Sequence, residues 1–304
     1  PKDTYVNMVL ASRYDENIVF ACFNNHKKGD FKPYVFKSID KGKTWKSITA
    51  NLPERGSTYA IAQDHVDPNL LFVGTEFGLF VSNNGGQSWL QMKSGLPTIA
   101  VRDIAIQRRE NDLVLGTFGR GFYVLDDYSA LRSTRETQLD GEGYLFSVRD
   151  PLLYEPSYPM GLPGQAFQGD SYYRGENLPP VALFTYYLKE EITSLKAQRQ
   201  TMEKAQLEKG EDTHYPSYEA LAAERSEKEP QLLFTVSNAA GKVVRKITSA
   251  PQKGIQRIQW DMRYADPDPI NLSSSSFYNP WSDSDKGILV APGKYFVSLA
   301  KIVQ

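Results

Sequence analysis

Short apolar runs, rich in β-branched and aromatic residues and closed by glycine, proline, asparagine or aspartate, recur along the first 130 or so residues. Runs of this composition predict β-strands separated by tight turns. The pattern predicts a first unit with strands at 5–14, 18–24, 33–38 and 45–49, a second with strands at 58–64, 70–75, 78–82 and 89–93, and a third with strands at 101–107, 113–117 and 122–125. The third unit has no predicted fourth strand.

An octapeptide pattern, S-x-D-x-G-x-[ST]-W, occurs at the end of each of the first two units, and its two copies lie forty-four residues apart. This Asp-box pattern consists of Ser38, Asp40, Gly42, Thr44 and Trp45 in the first copy, and of Ser82, Asn84, Gly86, Ser88 and Trp89 in the second. A period in the forties with glycine-rich turns predicts the blades of a β-propeller. Ordinary closed propellers have more blades than the sequence supplies. We therefore expect further blades of the same protein before Pro1, and a strand from them to complete the third blade.

The boxes are predicted to be structural turns. The carboxylate and hydroxyl groups accept turn N–H groups, glycine permits the unusual dihedral angles, and tryptophan packs between blades. Asn84 supports this interpretation, because an amide accepts the same hydrogen bonds but cannot serve as a carboxylate acid or nucleophile.

The second half of the chain changes character. Residues 133–180 are rich in proline, tyrosine and glycine and predict a connecting strap, while strand patterns return at 181–188, 232–236, 243–247, 255–261 and 295–302. Short strands of this kind predict an Ig-like sandwich over 181–304. The charged insertion 189–229 has apolar residues three and four apart, which predicts a helical hairpin packed through that stripe; a docking arm for a partner is the alternative. The predicted fold class is all-β: Asp-box propeller blades over 1–132, then an Ig-like sandwich with an inserted helical hairpin.

The amino-acid composition limits the classes of partner and cofactor that the chain is expected to bind. The chain has 35 basic and 36 acidic residues, so it lacks the strong positive charge that draws proteins to nucleic acid. No apolar run is long enough to span a bilayer. The single cysteine, Cys22, lies in an apolar run and is expected to be a buried, inert thiol. The three histidines are scattered, which predicts neither a metal site nor a cofactor.

The loops between strands two and three of the units carry the candidate binding residues. They combine aromatic, cationic and carboxylate side chains, as binding rims on rigid scaffolds do. The candidates are His26, Asp30, Phe31, Glu76, Phe77, Phe118 and Arg120. In the structural alternative, Glu76 and Arg120 form an inter-blade ion pair and the phenylalanines seal the core. No catalytic signature is present.

The boxes, together with the segments 71–82, 113–127 and 177–180, resemble bacterial sortilin-like proteins with BNR repeats. The segments 239–245, 259–263 and 291–295 resemble the Ig-like module of flagellar hook-capping proteins and secreted Bacteroidetes proteins. The resemblance implies an extracytoplasmic protein that is secreted, periplasmic or at the cell surface. It further implies binding of a protein or peptide partner by strand pairing and rim contacts, in a surface or secretion-associated assembly.

Two alternatives stay open at this point. The first is a glycan-acting hydrolase of the Asp-box propeller type, whose catalytic carboxylates would lie in the other blades, because Asp30 and Glu76 are the only acids in these loops. The second is a spacer for another domain. The sequence favours a binding protein over an enzyme.

Overall fold

Three antiparallel sheets follow one another in the first of two compact units, Pro1–Gln138 and Leu139–Gln304. The computed structural model describes residues 3–134, 139–154, 179–267 and 287–303. Blade one contains β1 (Tyr5–Ala11), β2 (Val19–Asn25), β3 (Asp30–Ser38) and β4 (Lys46–Ser47). Blade two contains β5 (Thr58–Gln63), β6 (Leu71–Thr75), β7 (Gly78–Ser82) and β8 (Leu90–Met92). Blade three contains β9 (Val101–Gln107), β10 (Asp112–Thr117) and β11 (Phe122–Leu125). Each blade is a meander of sequential strands, so the predicted strands are confirmed, with bounds that differ by a few residues.

The strands β5, β6 and β7 of blade two are buried along their whole length because both faces of the blade are covered. Leu71 and Val73 pack in a core with residues of blade one, whereas Leu70 and Phe72 pack in a core with residues of blade three. Successive side chains of a strand point to opposite faces, so a strand buried on both sides reads as a continuous apolar run. Cys22 lies in the first of these cores, where burial raises the pKa of its thiol to about 12. The predicted buried thiol is thus confirmed.

Blade three has three strands among the described residues, and β11 is at the edge of its sheet. Along β11, Phe122 and Val124 are exposed, while Tyr123 and Leu125 pack against the core. Completion of this sheet by a strand from elsewhere in the protein stays a prediction.

The chain then enters a short 3₁₀ helix, Tyr128–Ser133, whose side chains reach Asp64 at the end of β5. The Asp64 carboxylate is fully buried and accepts hydrogen bonds from the Tyr128 hydroxyl at 2.6 Å and from Arg132 Nε and Nη2 at 2.8 Å each. Two backbone N–H groups, of Val66 and Asp67, complete its partners at 3.0 and 2.7 Å. These hydrogen bonds outweigh the effect of burial and lower the pKa of Asp64 to about 2. The network joins blade two to the end of blade three.

This pKa predicts a loss of stability in acid. Because the folded-state pKa of Asp64 is below the unfolded value of about 3.9, its contribution is present above that value and is lost as pH falls toward 2. We expect a carboxyl titration followed by NMR to place the Asp64 midpoint near 2, and the melting temperature to fall over the same range. An Asp64 midpoint near the unfolded value would contradict the prediction.

Both Asp-box turns are closed by their own side chains. Asp40 Oδ1 accepts from the backbone N of Thr44 at 2.8 Å, and Asp40 Oδ2 accepts from the Thr44 hydroxyl at 2.6 Å. In the second turn, Asn84 Oδ1 accepts from the backbone N of Ser88 at 3.0 Å, and its amide donates to the Ser88 hydroxyl at 2.7 Å. The turn N–H of Gly42, and likewise that of Gly86, donates to the serine hydroxyl at the start of its own box at 2.8 and 2.9 Å. The serine hydroxyls and the Asp40 and Asn84 side chains thus serve the turns.

The two box tryptophans differ. Trp89 is buried, and its indole N–H donates to the carbonyl of Ile48 in the preceding blade at 2.8 Å, as packing between blades requires. Trp45 is 40% exposed and donates within its own turn, to the carbonyl of Gly42 at 3.0 Å. Packing between blades is therefore confirmed for Trp89, whereas for Trp45 it stays a prediction.

Asn84 in the second Asp box suggests a direct test of the role of Asp40 in the first. We expect Asp40→Asn to leave the melting temperature close to that of the native protein, because an amide can make the contacts that Asn84 makes, whereas Asp40→Ala removes the acceptor and lowers it. Differential scanning calorimetry of both variants compares them. Equal losses for the two variants would contradict this role.

The second unit is a sandwich of two three-stranded sheets. One sheet has the order β12 (Gly143–Leu145), β13 (Ala182–Leu188) and β16 (Gly254–Trp260), and the other has β15 (Val243–Ser249), β14 (Gln231–Asn238) and β17 (Tyr295–Ile302). Phe184 and Tyr186 of the first sheet meet Phe234 of the second, with ring centroids 6.2 and 5.2 Å apart. The all-β sandwich is confirmed, and the narrower Ig-like assignment stays a prediction.

The predicted strap over 133–180 needs a correction at its start. Residues 143–145 form β12, which pairs with β13 in the register Tyr144↔Tyr187, and Phe146 is buried. The aromatic residues that indicated a strap here instead extend the sheet by one strand. Residues 155–178 of the predicted strap lie outside the described residues.

The insertion is a helical hairpin, as predicted, with α1 (Leu195–Glu208) and α2 (Tyr218–Ser226). Ser194 and Ser217 cap the two helices through their hydroxyl groups. The two helices meet through Arg199, whose guanidinium contacts Glu224 of α2 at 2.6 Å and Glu203 of α1 at 2.7 Å. The predicted packing through an apolar stripe is wrong for Leu195 and Met202, which stay exposed, because these helices bury no residue and meet through charges.

Candidate functional site

The segments that carry the predicted binding residues each contact a residue just before the first strand of a blade: blade one contacts the chain that leads into blade two, while blades two and three contact the chain that leads into their own first strands. In blade one, the carbonyl of Phe31 accepts from the backbone N of Gly56 at 2.8 Å. In blade two, the backbone N of Glu76 donates to Ser57 at 2.9 Å, and in blade three that of Phe118 donates to Ala100 at 2.9 Å. These contacts form a row across the three blades. We call it the rim row, and it consists of Phe31, Arg55, Tyr59, Glu76, Phe77, Arg102 and Phe118.

Arg102 lies at the centre of one half of the rim row, the half that joins blades two and three. Its guanidinium carbon is 3.7 Å from the ring centroid of Tyr59 and 5.1 Å from that of Phe118, which is cation–π geometry. Its Nη2 lies 4.0 Å from Glu76 Oε2. The Tyr59 hydroxyl donates to the same Glu76 oxygen, and burial followed by this hydrogen bond raises the pKa of Tyr59 to about 12. Tyr59 is thus a neutral donor that holds Glu76.

Arg55 lies at the other end, against blade one. Its guanidinium carbon is 5.3 Å from the Phe31 ring centroid, and both residues line an open cleft of about 930 Å³. The cleft floor includes Tyr34, whose hydroxyl donates to Asp30 Oδ2 at 2.6 Å. This bond and the backbone N–H of Lys32 hold the pKa of Asp30 below its usual value. The cleft therefore offers aromatic surface edged by fixed charges.

The three phenylalanines of the rim row are exposed rather than buried. Phe31, Phe77 and Phe118 are 45%, 47% and 69% exposed. The alternative in which they seal the core is therefore wrong. Gly56 fits beneath Phe77: a β-carbon at Gly56 would lie 3.2 Å from that ring, and its φ of +135° favours glycine. The rigid blades thus present aromatic rings to solvent.

Two predicted residues lie apart from the rim row. His26 Nδ1 is 2.6 Å from Asn24 Oδ1, which holds the imidazole against its own strand. Arg120 is exposed and forms no ion pair with any residue that the structure describes. The alternative that pairs Glu76 with Arg120 is wrong, because Arg102 occupies that position.

This placement predicts a silent substitution. We expect Arg120→Ala to change the free energy of unfolding by no more than about 0.5 kcal/mol, the range for surface substitutions away from structural contacts. Urea unfolding of the variant measures it. A loss well above this range would mean that Arg120 supports the fold.

Three further residues belong to the rim row but lie outside the loops from which the sequence analysis took its candidates: Arg55, Tyr59 and Arg102. Tyr59 and Arg102 are the second residues of β5 and β9, so they occupy equivalent positions in consecutive blades. The start of each of these strands lies beside the loop of its own blade, because Tyr59 contacts Glu76 and Arg102 contacts Phe118. Aligning first strands as well as loops would have identified both residues from the repeat.

No group of three or more histidine, cysteine, aspartate or glutamate residues among the described positions is arranged to hold a metal ion. Neither helix of the described chain is long and apolar enough to cross a bilayer.

No protein-family model and no curated protein matches this chain. It is similar to a GH74 xyloglucanase from Xanthomonas campestris, at 14% identity over 40% of this chain and 22% of that one, with a TM-score of 0.34. It is similar to the extracellular domain of BT4673 from B. thetaiotaomicron, at 18% identity over 41% of this chain and 16% of that one, with a TM-score of 0.32.

A third likeness spans almost the whole chain. PorZ of Porphyromonas gingivalis, described as an essential bacterial surface component of the type-IX secretion system, matches at 13% identity over 98% of this chain, with a TM-score of 0.30. The chain spans 38% of PorZ and smaller shares of the other two proteins. All three are of the β-propeller type, but at these TM-scores no likeness carries an argument about function.

Proposed function

We propose that this chain belongs to an extracytoplasmic β-propeller protein that binds a protein or peptide partner through the rim row. The observation that carries the proposal is the alternation of exposed phenylalanine and clamped arginine across three rigid blades. Aromatic residues and arginine are enriched in protein interfaces and among the residues that dominate binding energy. Solvent exposure of three phenylalanines in one row is what such a surface requires.

The chemistry of the two carboxylates in the loops favours binding over hydrolysis. A glycoside hydrolase needs one carboxyl group whose pKa is raised, so that it donates a proton. The hydrogen bond from Tyr34 instead lowers the pKa of Asp30, and Glu76 is held by Tyr59. Asp30 is therefore not prepared to act as a general acid, and the Glu76 carboxylate is engaged by a tyrosine hydroxyl.

The extracytoplasmic location rests on the resemblance of the boxed repeats to sortilin-like BNR proteins. A role in a surface or secretion-associated assembly belongs to the same proposal. It accords with a propeller that presents its contacts on loops, where rigid scaffolds commonly carry recognition.

Site-specific photo-crosslinking tests the proposal. Phe118 is replaced by p-benzoylphenylalanine in the full protein within its own cells, and the matched control carries the same group in place of Ile39, which is 69% exposed in the first Asp-box turn. We expect ultraviolet light to attach a defined protein at position 118 and not at position 39. Attachment of polysaccharide at position 118 would favour the glycan alternative, and identical products at both positions would contradict the proposed site.

A further inference from the structure

Two guanidinium groups of the rim row keep their hydrogen-bond donors free. Within the described parts of the chain, neither Arg55 nor Arg102 donates a hydrogen bond, and the Glu76 oxygen near Arg102 lies 4.0 Å away, beyond hydrogen-bonding distance. Each guanidinium has five N–H donors in a fixed planar fork. The donors of both residues are available to a ligand.

Both groups are held in place by aromatic rings rather than by carboxylates. Tyr59 and Phe118 flank Arg102 at 3.7 and 5.1 Å, and Phe31 supports Arg55 at 5.3 Å. A guanidinium stacked in this way loses little further freedom when its edge binds a planar anion. The edge of a guanidinium matches a carboxylate through two parallel hydrogen bonds.

Within the rim row, two guanidinium groups face one carboxylate, Glu76, although the chain as a whole is close to neutral. The cleft beside Arg55 adds Lys32 and the carboxylates of Asp30 and Glu54, and Lys27 and Lys28 precede β3. Tyr59 donates to Glu76, so that carboxylate balances Arg102 only in part. Charge complementarity therefore calls for an anionic ligand.

We propose that the rim row binds an acidic peptide segment, with one carboxylate side chain on Arg102 and a second on Arg55. This inference rests on the proposed binding function and specifies its ligand. A peptide is favoured over an acidic glycan because the guanidiniums already cover a face of the Phe31, Tyr59 and Phe118 rings, and sugars bind aromatic residues by stacking on such faces. The remaining exposed ring surface is suited to the apolar side chains that accompany acidic ones in a peptide.

Fluorescence anisotropy tests this with two labelled decapeptides, one of alternating glutamate and glycine and one of alternating glutamine and glycine. We expect the purified protein to bind only the acidic peptide, and more weakly as salt screens the charges. Arg102→Gln and Arg55→Gln should each weaken binding about tenfold or more, because a hydrogen-bonded charge pair is lost. Arg109→Gln is the matched control, since Arg109 is exposed in the turn between β9 and β10 and should leave affinity unchanged.

Arg102→Lys separates charge from geometry, because it keeps a positive charge at this position. We expect affinity between those of the native protein and Arg102→Gln, because lysine lacks the planar fork. Circular dichroism of each variant verifies folding. Full retention of affinity in Arg102→Lys would overturn the fork contact, and equal binding of the two peptides would overturn the acidic ligand.

Two further results separate this inference from the function on which it rests. Tighter binding of trigalacturonic acid than of the acidic peptide would overturn the peptide assignment and place the carboxylates on a glycan. Crosslinking of a protein at position 118 without binding of the acidic peptide would leave the binding function standing and overturn the ligand class. If neither crosslinking of a protein at position 118 nor binding of the acidic peptide is observed, the binding function and the ligand class are both overturned.

Discussion

Replacing Arg132 with alanine is expected to lower the free energy of unfolding of the propeller unit by about 3–5 kcal/mol, the cost of breaking a buried ion pair from one side. Its guanidinium donates to both oxygens of the fully buried Asp64 at 2.8 Å and to Asn111 Oδ1 at 2.6 Å. Without Arg132, the Asp64 carboxylate would stay in the interior with the Tyr128 hydroxyl and two backbone N–H groups as hydrogen-bond donors, and with His65 Nδ1 at 3.5 Å. An uncompensated buried charge is among the few defects that cost a domain a large part of its stability.

Urea unfolding monitored by tryptophan fluorescence measures this loss. Arg109→Ala is the control, since that side chain is 82% exposed and pairs with its neighbour Glu110, and we expect a change of about 0.5 kcal/mol or less. The double variant Asp64→Asn, Arg132→Ala should recover part of the loss, because the neutral amide leaves no buried charge. A loss for Arg132→Ala no larger than that of the control would show that the pair does not link the blades.

This network explains one limit of prediction from the sequence. The repeat located the strands of all three blades because their apolar composition and their bounding turns are local features, and the bounds of Gly78–Ser82 were predicted without error. Asp64 and Arg132 are sixty-eight residues apart and occur once each, outside the repeated pattern. Nothing local distinguishes a fully buried aspartate from one in a solvated turn, so the residues that secure the last blade were not identified.

The rim row was likewise predicted from the sequence only in part. The positions of Glu76, Phe77 and Phe118 in the loops followed from blade topology, since the repeat assigned them to one position in each blade, while Phe31 of the predicted loop lies at the start of β3. The partner of Glu76 did not follow from blade topology, because the sequence comparison was limited to the loops, which contain Arg120, whereas Arg102 lies in the strand β9. Side-chain direction decided between them: β9 presents Arg102 to the Tyr59 ring, and Arg120 lies in solvent.

Substituting Gly74 by alanine is expected to cost about 1–3 kcal/mol, the usual range for overpacking a close-packed interior. A β-carbon on Gly74 would lie 2.6 Å from the backbone carbonyl oxygen of Val101 and 2.9 Å from its Cγ1. The obstacle is backbone of β9 in the next blade, which cannot rotate away as a side chain does. We therefore expect β6 and β9 to separate, at the expense of the core that blades two and three share.

Gly116→Ala is a matched control for Gly74→Ala. Gly116 precedes Thr117 on β10 as Gly74 precedes Thr75 on β6, but a β-carbon there would meet Asp103 Cβ at 3.4 Å, an ordinary contact. Urea unfolding should therefore show a clear loss for Gly74→Ala and little change for Gly116→Ala; equal losses would mean that glycine is needed for strand geometry and not for close approach of the blades. Val101 directly precedes Arg102, so displacement of β9 should also weaken rim-row binding of the acidic peptide in Gly74→Ala alone. Stability and recognition would then depend on the same spacing between blades.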